Sequence, residues 1–106
     1  MTAAETIQAA IDKLEGHRRA ATEGRWQHKR SLDNHWVESN DRIALAEAIS
    51  QPDAELIVTL HRTIDAQLAI LRWYAATLAT APGFEPHGSN EFIALARAIL
   101  GEEVPA

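Results

Sequence analysis

The chain reads as an α+β protein, with three helices over about 3–22, 53–80 and 89–100 and a small antiparallel β hairpin or meander at about 25–49. Three observations predict this. Apolar residues recur at helical spacing near both ends and most strongly through the middle of the chain. Alanine, which loses least side-chain entropy on entering a helix, fills 20 of the 106 positions. Between the first two helical segments lies a stretch of aromatic and β-favouring residues broken by turn formers.

The first helix is opened by Thr2 and Glu5, whose spacing is that of a capping box: hydroxyl and carboxylate satisfy amides that the first turn leaves without partners. Ile7, Ile11, Leu14 and Ala21 then line one side, and Gly24 offers a stop. In the stretch that follows, Trp26–Lys29 and His35–Glu38 favour strand, with Asp33-Asn34 and Asn40-Asp41 as turns. Arg42–Ile49 argues both ways. Ile43, Leu45 and Ile49 alternate with Arg42, Ala44 and Ala48 as in a strand, yet Ala44, Ala46, Glu47 and Ala48 are better helix formers. Moreover, Ser39–Ile49 matches Ser89–Ile99 at an offset of fifty, and the second copy lies in a predicted helix. An all-α bundle with 40–49 helical is therefore the alternative architecture.

The long helix 53–80 starts at Ser50 or Asp53 beside Pro52, with Glu55 near the positive end of its dipole. Ile57, Ile64, Leu71 and Leu78 recur every seven residues, and Leu60, Leu68, Tyr74 and Ala75 widen the stripe. Pro82-Gly83 ends it, because the residue before a proline is pushed out of the α region. In the last helix Ser89 or Asn90 is the cap, Phe92, Leu95, Ala96 and Ile99 the buried side and Gly101 the end, leaving 101–106 as a frayed tail of a single domain spanning 1–106.

Composition excludes several function classes. With 46% hydrophobic and 24% charged residues the chain is suited to folding around one core. The absence of cysteine rules out disulfides, thiolate metal sites and a cysteine nucleophile. The most apolar stretch, Thr63 to Ala81, carries Asp65 and Arg72, so no segment is suited to lipid, and the N-terminus lacks the pattern of a secretory signal. Cytoplasm is the expected location. The net charge of −5 divides unevenly: residues 1–32 hold six Lys/Arg against four acids, whereas residues 33–106 hold four against eleven. Such an acidic chain disfavours nucleic acid, apart from the basic run Arg18, Arg19, Arg25, Lys29 and Arg30.

The order of these features resembles that of small accessory proteins of unassigned function encoded by actinobacteria and their phages. The residues that carry the likeness are Ala21-Thr-Glu-Gly-Arg-Trp26 after a first helix, the short β-prone stretch, and Asp53-Ala-Glu-Leu-Ile-Val58 opening an apolar helix. It covers roughly residues 7–72. In that group the turn commonly reads Thr-Pro-Gly-Pro-Trp, and here Glu23 and Arg25 stand in place of both prolines. The resemblance implies a β hairpin or meander at 25–49 and a phage or prophage setting. It implies no catalytic residues.

No phosphate loop, nucleophile elbow or paired-carboxylate motif points to an enzyme, and the residues imply no cofactor. His61 and Asp65, four apart on one helix, suit an ion pair better than half of a metal site. His28, Asp33 and His35 approach one another across a hairpin and supply an N/N/O set that zinc tolerates, although a solvated hairpin explains them as well. The reading that these residues favour is a non-enzymatic interaction protein. It binds itself as a homodimer through the helix 53–80, with Leu56, Ile70 and Trp73 on a flank that the rest of the chain leaves uncovered. A host protein is the expected second partner. The candidate residues for it are Arg18, Arg19, Arg25, Trp26, Lys29, Arg30, Trp36 and Phe84, since exposed aromatics and arginines dominate binding hot spots. The alternative is a small DNA-associated regulator that uses Arg18–Arg30.

Overall fold

A computed structural model describes residues 1–81 and 89–102. The order of elements is α1 (Ala3–Ala20), β1 (Trp26–Ser31), β2 (Asn34–Ser39), β3 (Ala44–Ile49), α2 (Gln51–Arg62), α3 (Ile64–Thr80) and α4 (Ser89–Leu100). The fold is α+β, with the three strands forming one antiparallel sheet in the order β1-β2-β3. It departs from expectation in one respect: the helix read over 53–80 is two helices. Thr63 interrupts it at φ −90° and ψ −5°, its N–H reaching back only to the carbonyls of Leu60 and His61. Its hydroxyl also donates to the Leu60 carbonyl, at 2.9 Å. The i→i−4 ladder is thus replaced by one tight turn.

The chain forms two compact units, described separately: a sheet unit, Arg19–Ile64, and a helical unit, Met1–Arg18 together with the chain from Asp65 on. In the sheet unit β1 and β2 make a regular hairpin, from Trp26 opposite Ser39 to Ser31 opposite Asn34. Its two-residue turn is Leu32-Asp33, one position ahead of the expected Asp33-Asn34. β3 pairs with β2 through His35–Ile49, Val37–Ala46 and Glu38–Ala44, with two register shifts that insert extra residues in β3. Arg42, ahead of this strand, and Ala48, within it, have φ of 62° and 53°. The Ser39 amide bonds to Ile43 O and the Arg42 amide to Ser39 O, both at 3.0 Å, closing a three-residue loop with Arg42 in the left-handed region.

α2 lies on one face of this sheet. Val37, Ala54 and Val58 are buried between the two, with Trp26, Leu45, Ala46, Ile49 and Ile57 packed around them. The register shifts explain why the alternation read in Arg42–Ile49 fails in detail: adjacent Leu45 and Ala46 both reach this core, while Ile43 is exposed. The start of α2 is decided in favour of Ser50, which has extended backbone and accepts from the Asp53 amide at 3.2 Å.

Among the described residues of the helical unit, Thr6, Ile7, Ala10 and Ile11 of α1, Leu68, Leu71 and Tyr74 of α3, and Ala96 of α4 are buried. Ion pairs tie α1 to α3, Glu15 to Arg72 at 2.6 Å and Arg18 to Asp65 at 2.7 Å. Tyr74 and Phe92 meet with ring centres 4.9 Å apart. α1 opens with both bonds of the predicted capping box, the Thr2 amide to Glu5 Oε1 at 3.0 Å and the Glu5 amide to Thr2 Oγ1 at 3.1 Å. α4 closes with Gly101 at φ 84°, the Gly101 and Glu102 amides bonding to Ala98 O and Arg97 O.

The all-α alternative falls on a single comparison. Ile43-Ala-Leu-Ala-Glu-Ala-Ile49 contains β3, while Ile93-Ala-Leu-Ala-Arg-Ala-Ile99 is helical. What differs lies outside the repeat. Residues 93–99 have a free run from Ser89 to Gly101, whereas residues 43–49 end directly at the Ser50 cap and Pro52, which start another helix. The strand also pairs with β2 and buries part of its apolar surface against α2. Those contacts outweigh a helical preference of a few tenths of a kcal/mol per residue.

Candidate interaction site

Strand register divides the residues of β1 and β2 between two faces. Trp26, His28 and Arg30 lie opposite Ser39, Val37 and His35 on the face toward α2, while Gln27, Lys29 and Ser31 share the open face with Glu38, Trp36 and Asn34. On the α2 side the indole of Trp26 lies flat against the imidazole of His61, with centroids 3.8 Å apart and planes within 5°. Its Nε1 donates to Thr22 O at 3.0 Å, so the ring is held both by its face and by its edge. Next to it His28 Nε2 and His35 Nδ1 stand 2.9 Å apart. That contact requires an N–H on one ring and a lone pair on the other, so at least one imidazole is neutral while it holds.

Between β1 and α2 runs a groove of about 410 Å³. Arg25, Trp26, Gln27 and His28 form one wall, and Glu55, Val58, Thr59 and Arg62 the other. The second set lies at i, i+3, i+4 and i+7, one face of a helix, so the spacing was present in the sequence, although nothing there said which face would meet the sheet. Neither Arg25 nor Arg62 has a hydrogen-bond or ion-pair partner among the described residues. Glu55, the only acidic residue of the lining, accepts from Gln51 Nε2 at 3.0 Å. A smaller hollow of about 340 Å³ lies by Asn34, His35, Trp36, Glu47 and Ala48, where Trp36 is half-buried and its Nε1 reaches Glu38 Oε2 at 3.4 Å.

The residues singled out from the sequence are distributed as follows. Arg25 and Trp26 both line the groove, but Trp26 is half-buried on His61 rather than free in the basic run. Lys29 and Arg30 are exposed on β1, and Arg19 is exposed. Arg18 belongs to the helical unit and is engaged there by Asp65, whereas Arg25, Lys29 and Arg30 belong to the sheet unit. Phe84 lies outside the described residues. The carboxylate of Asp65, read as the partner of His61, takes Arg18. Of the His28, Asp33 and His35 set the structure joins the two histidines, and no cluster of three metal-ligating side chains occurs among the described residues.

The three residues expected to mediate self-association are all exposed: Leu56 by 56%, Ile70 by 43% and Trp73 by 54%. Leu56 lies on α2 in the sheet unit, and Ile70 and Trp73 lie on α3 in the helical unit, two helices where one was expected. On α2 Leu60, four residues on, joins Leu56 in the exposed set. On α3 the exposed positions Ala66, Ala69, Ile70, Trp73 and Ala76 share one face. The only charged residues of α3, Asp65 and Arg72, are both paired with α1. No helix among the described residues is long and apolar enough to cross a membrane. No known protein family, curated protein or solved structure matches the chain.

Proposed function

We propose that the protein is a non-enzymatic interaction module that pairs with a second copy of itself through α3 and engages a host protein through the sheet unit. The observation that carries the first half is the exposed face of α3. A water-facing helical surface ordinarily carries free charges, and this one presents alanine, Ile70 and Trp73 with both its charges already committed to α1. Small residues let a second helix approach closely, and a central tryptophan is the kind of side chain that dominates an interface. A two-fold pairing of identical faces uses one patch twice, so no second surface is needed. The likeness of residues 7–72 to accessory proteins of actinobacteria and their phages supports a phage or prophage setting, with the host cytoplasm as the place of action.

Light scattering tests the proposal. The wild type is expected at dimer mass and the Ile70→Asp variant at monomer mass, with its helical circular dichroism unchanged. An exposed residue accepts a charge without the several kcal/mol penalty of an unpaired charge in a core. A wild type that stays monomeric at high concentration overturns the self-association, and firm binding to duplex DNA at physiological salt overturns the choice of protein partners.

A further inference from the structure

We infer that the groove between β1 and α2 is a docking site for an extended acidic peptide segment, which adds to the free edge of β1 as a fourth strand. This rests on the reading of the protein as an interaction module and names the chemistry of its second partner.

Three observations lead to it. Among the described residues β1 has a neighbour on one side only, so alternate N–H and C=O groups along its outer edge have no strand there to pair with. It is the regular edge of the sheet: six residues in continuous register, without proline or bulge, whereas β3 is shifted twice and held at Ala48 in the left-handed region. The groove also reaches that edge. Gln27 belongs to the opposite face from Trp26 and His28, yet all three line it, as residues at the border of an edge strand do. A strand laid there gains backbone hydrogen bonds from β1 and meets Val58 and the Trp26–His61 stack through alternate side chains.

Charge selects the occupant. Arg25 and Arg62 stand on the two walls without partners among the described residues, and Lys29 and Arg30 add positive charge along β1. A second copy of β1 would bring these cations against like charges, which opposes edge-to-edge self-pairing, while an acidic strand is drawn in. Glu55 is the one opposing charge, so its removal should help such a ligand.

The test uses the whole protein and a fluorescein-labelled peptide of six residues alternating Glu and Val, titrated by fluorescence anisotropy at low salt. The Lys/Val counterpart and a Glu/Val peptide methylated at alternate backbone nitrogens serve as controls. The Glu/Val peptide is expected to bind and the Lys/Val peptide not, with N-methylation weakening binding about tenfold through lost strand pairing. Arg62→Glu is expected to lower affinity about tenfold and Glu55→Gln to raise it, opposite directions that a folding defect does not produce. Amide shift changes should fall on Trp26–Ser31 and on the α2 wall. Absence of binding overturns the inference, as do indifference to N-methylation and shift changes confined to α3. Displacement of the peptide by a short DNA duplex at physiological salt overturns it in favour of nucleic acid. If the peptide fails while light scattering still shows a dimer, this inference alone is lost.

Discussion

Leu32 is 95% exposed, and its φ of 54° places a branched side chain in the left-handed region, where an L-residue costs about 1–2 kcal/mol. The two-residue turn between β1 and β2 demands that backbone, and the side chain there contributes no packing in return. Leu32→Asn is therefore expected to stabilise the protein by about 0.5–1 kcal/mol, read as a higher urea midpoint with an unchanged slope, since asparagine tolerates this conformation and loses less entropy than glycine. A lower midpoint would show that Leu32 makes a contact that its exposure hides. The turn was legible from Asp33 and Asn34 only to within a position. Those residues favour any turn, whereas register fixes which two form it, and register is set by burial of Trp26 and Val37 against α2.

At the scale of elements, the helix ends were the most legible features, because caps are local. Thr2 and Glu5, Ser50 before Pro52, and Gly101 each act within a few residues of themselves. The carboxyl of Glu5 is held below its ordinary range, chiefly by the bond from the Thr2 backbone amide and next by the Thr2 hydroxyl. A depressed carboxylate pKa contributes stability that is present above its unfolded value and lost as pH falls through the folded one. Protection of the first-turn amides of α1, relative to their intrinsic exchange rate, is thus expected to fall as the solution is acidified through that range. Glu5→Gln should keep the cap and abolish that pH dependence. An equal loss of protection in the Glu5→Gln variant would assign the fraying to another group. The interruption at Thr63 was not legible: no proline or glycine marks it, and Ile57, Ile64, Leu71 and Leu78 carry the apolar period straight through it.

For the whole molecule, the exposed face of α3 has a thermodynamic consequence. If native chains pair and unfolded ones do not, mass action raises the melting temperature as protein concentration rises. A shift of several degrees is expected over about a hundredfold range of concentration. It should disappear in Trp73→Asp, which leaves the buried Leu68, Leu71 and Tyr74 untouched. A wild-type melting temperature independent of concentration would show that the face stays bare. By itself the sequence favoured the α+β class over an all-α bundle and located the start of α1, the limits of α4, the strand character of 26–38 and the exposure of Leu56, Ile70 and Trp73. Each of these follows from periodicity or from a cap, which act over one or two turns of chain. Only the tertiary structure decided that one apolar helix is two, that of two nearly identical seven-residue runs 43–49 contains a strand and 93–99 is helical, and that Trp26 stacks on His61 beside Arg25 and Arg62, which have no partner among the described residues. Those outcomes depend on which surfaces meet, and residues 35 positions apart, such as Trp26 and His61, find each other through burial and pairing that no local preference encodes.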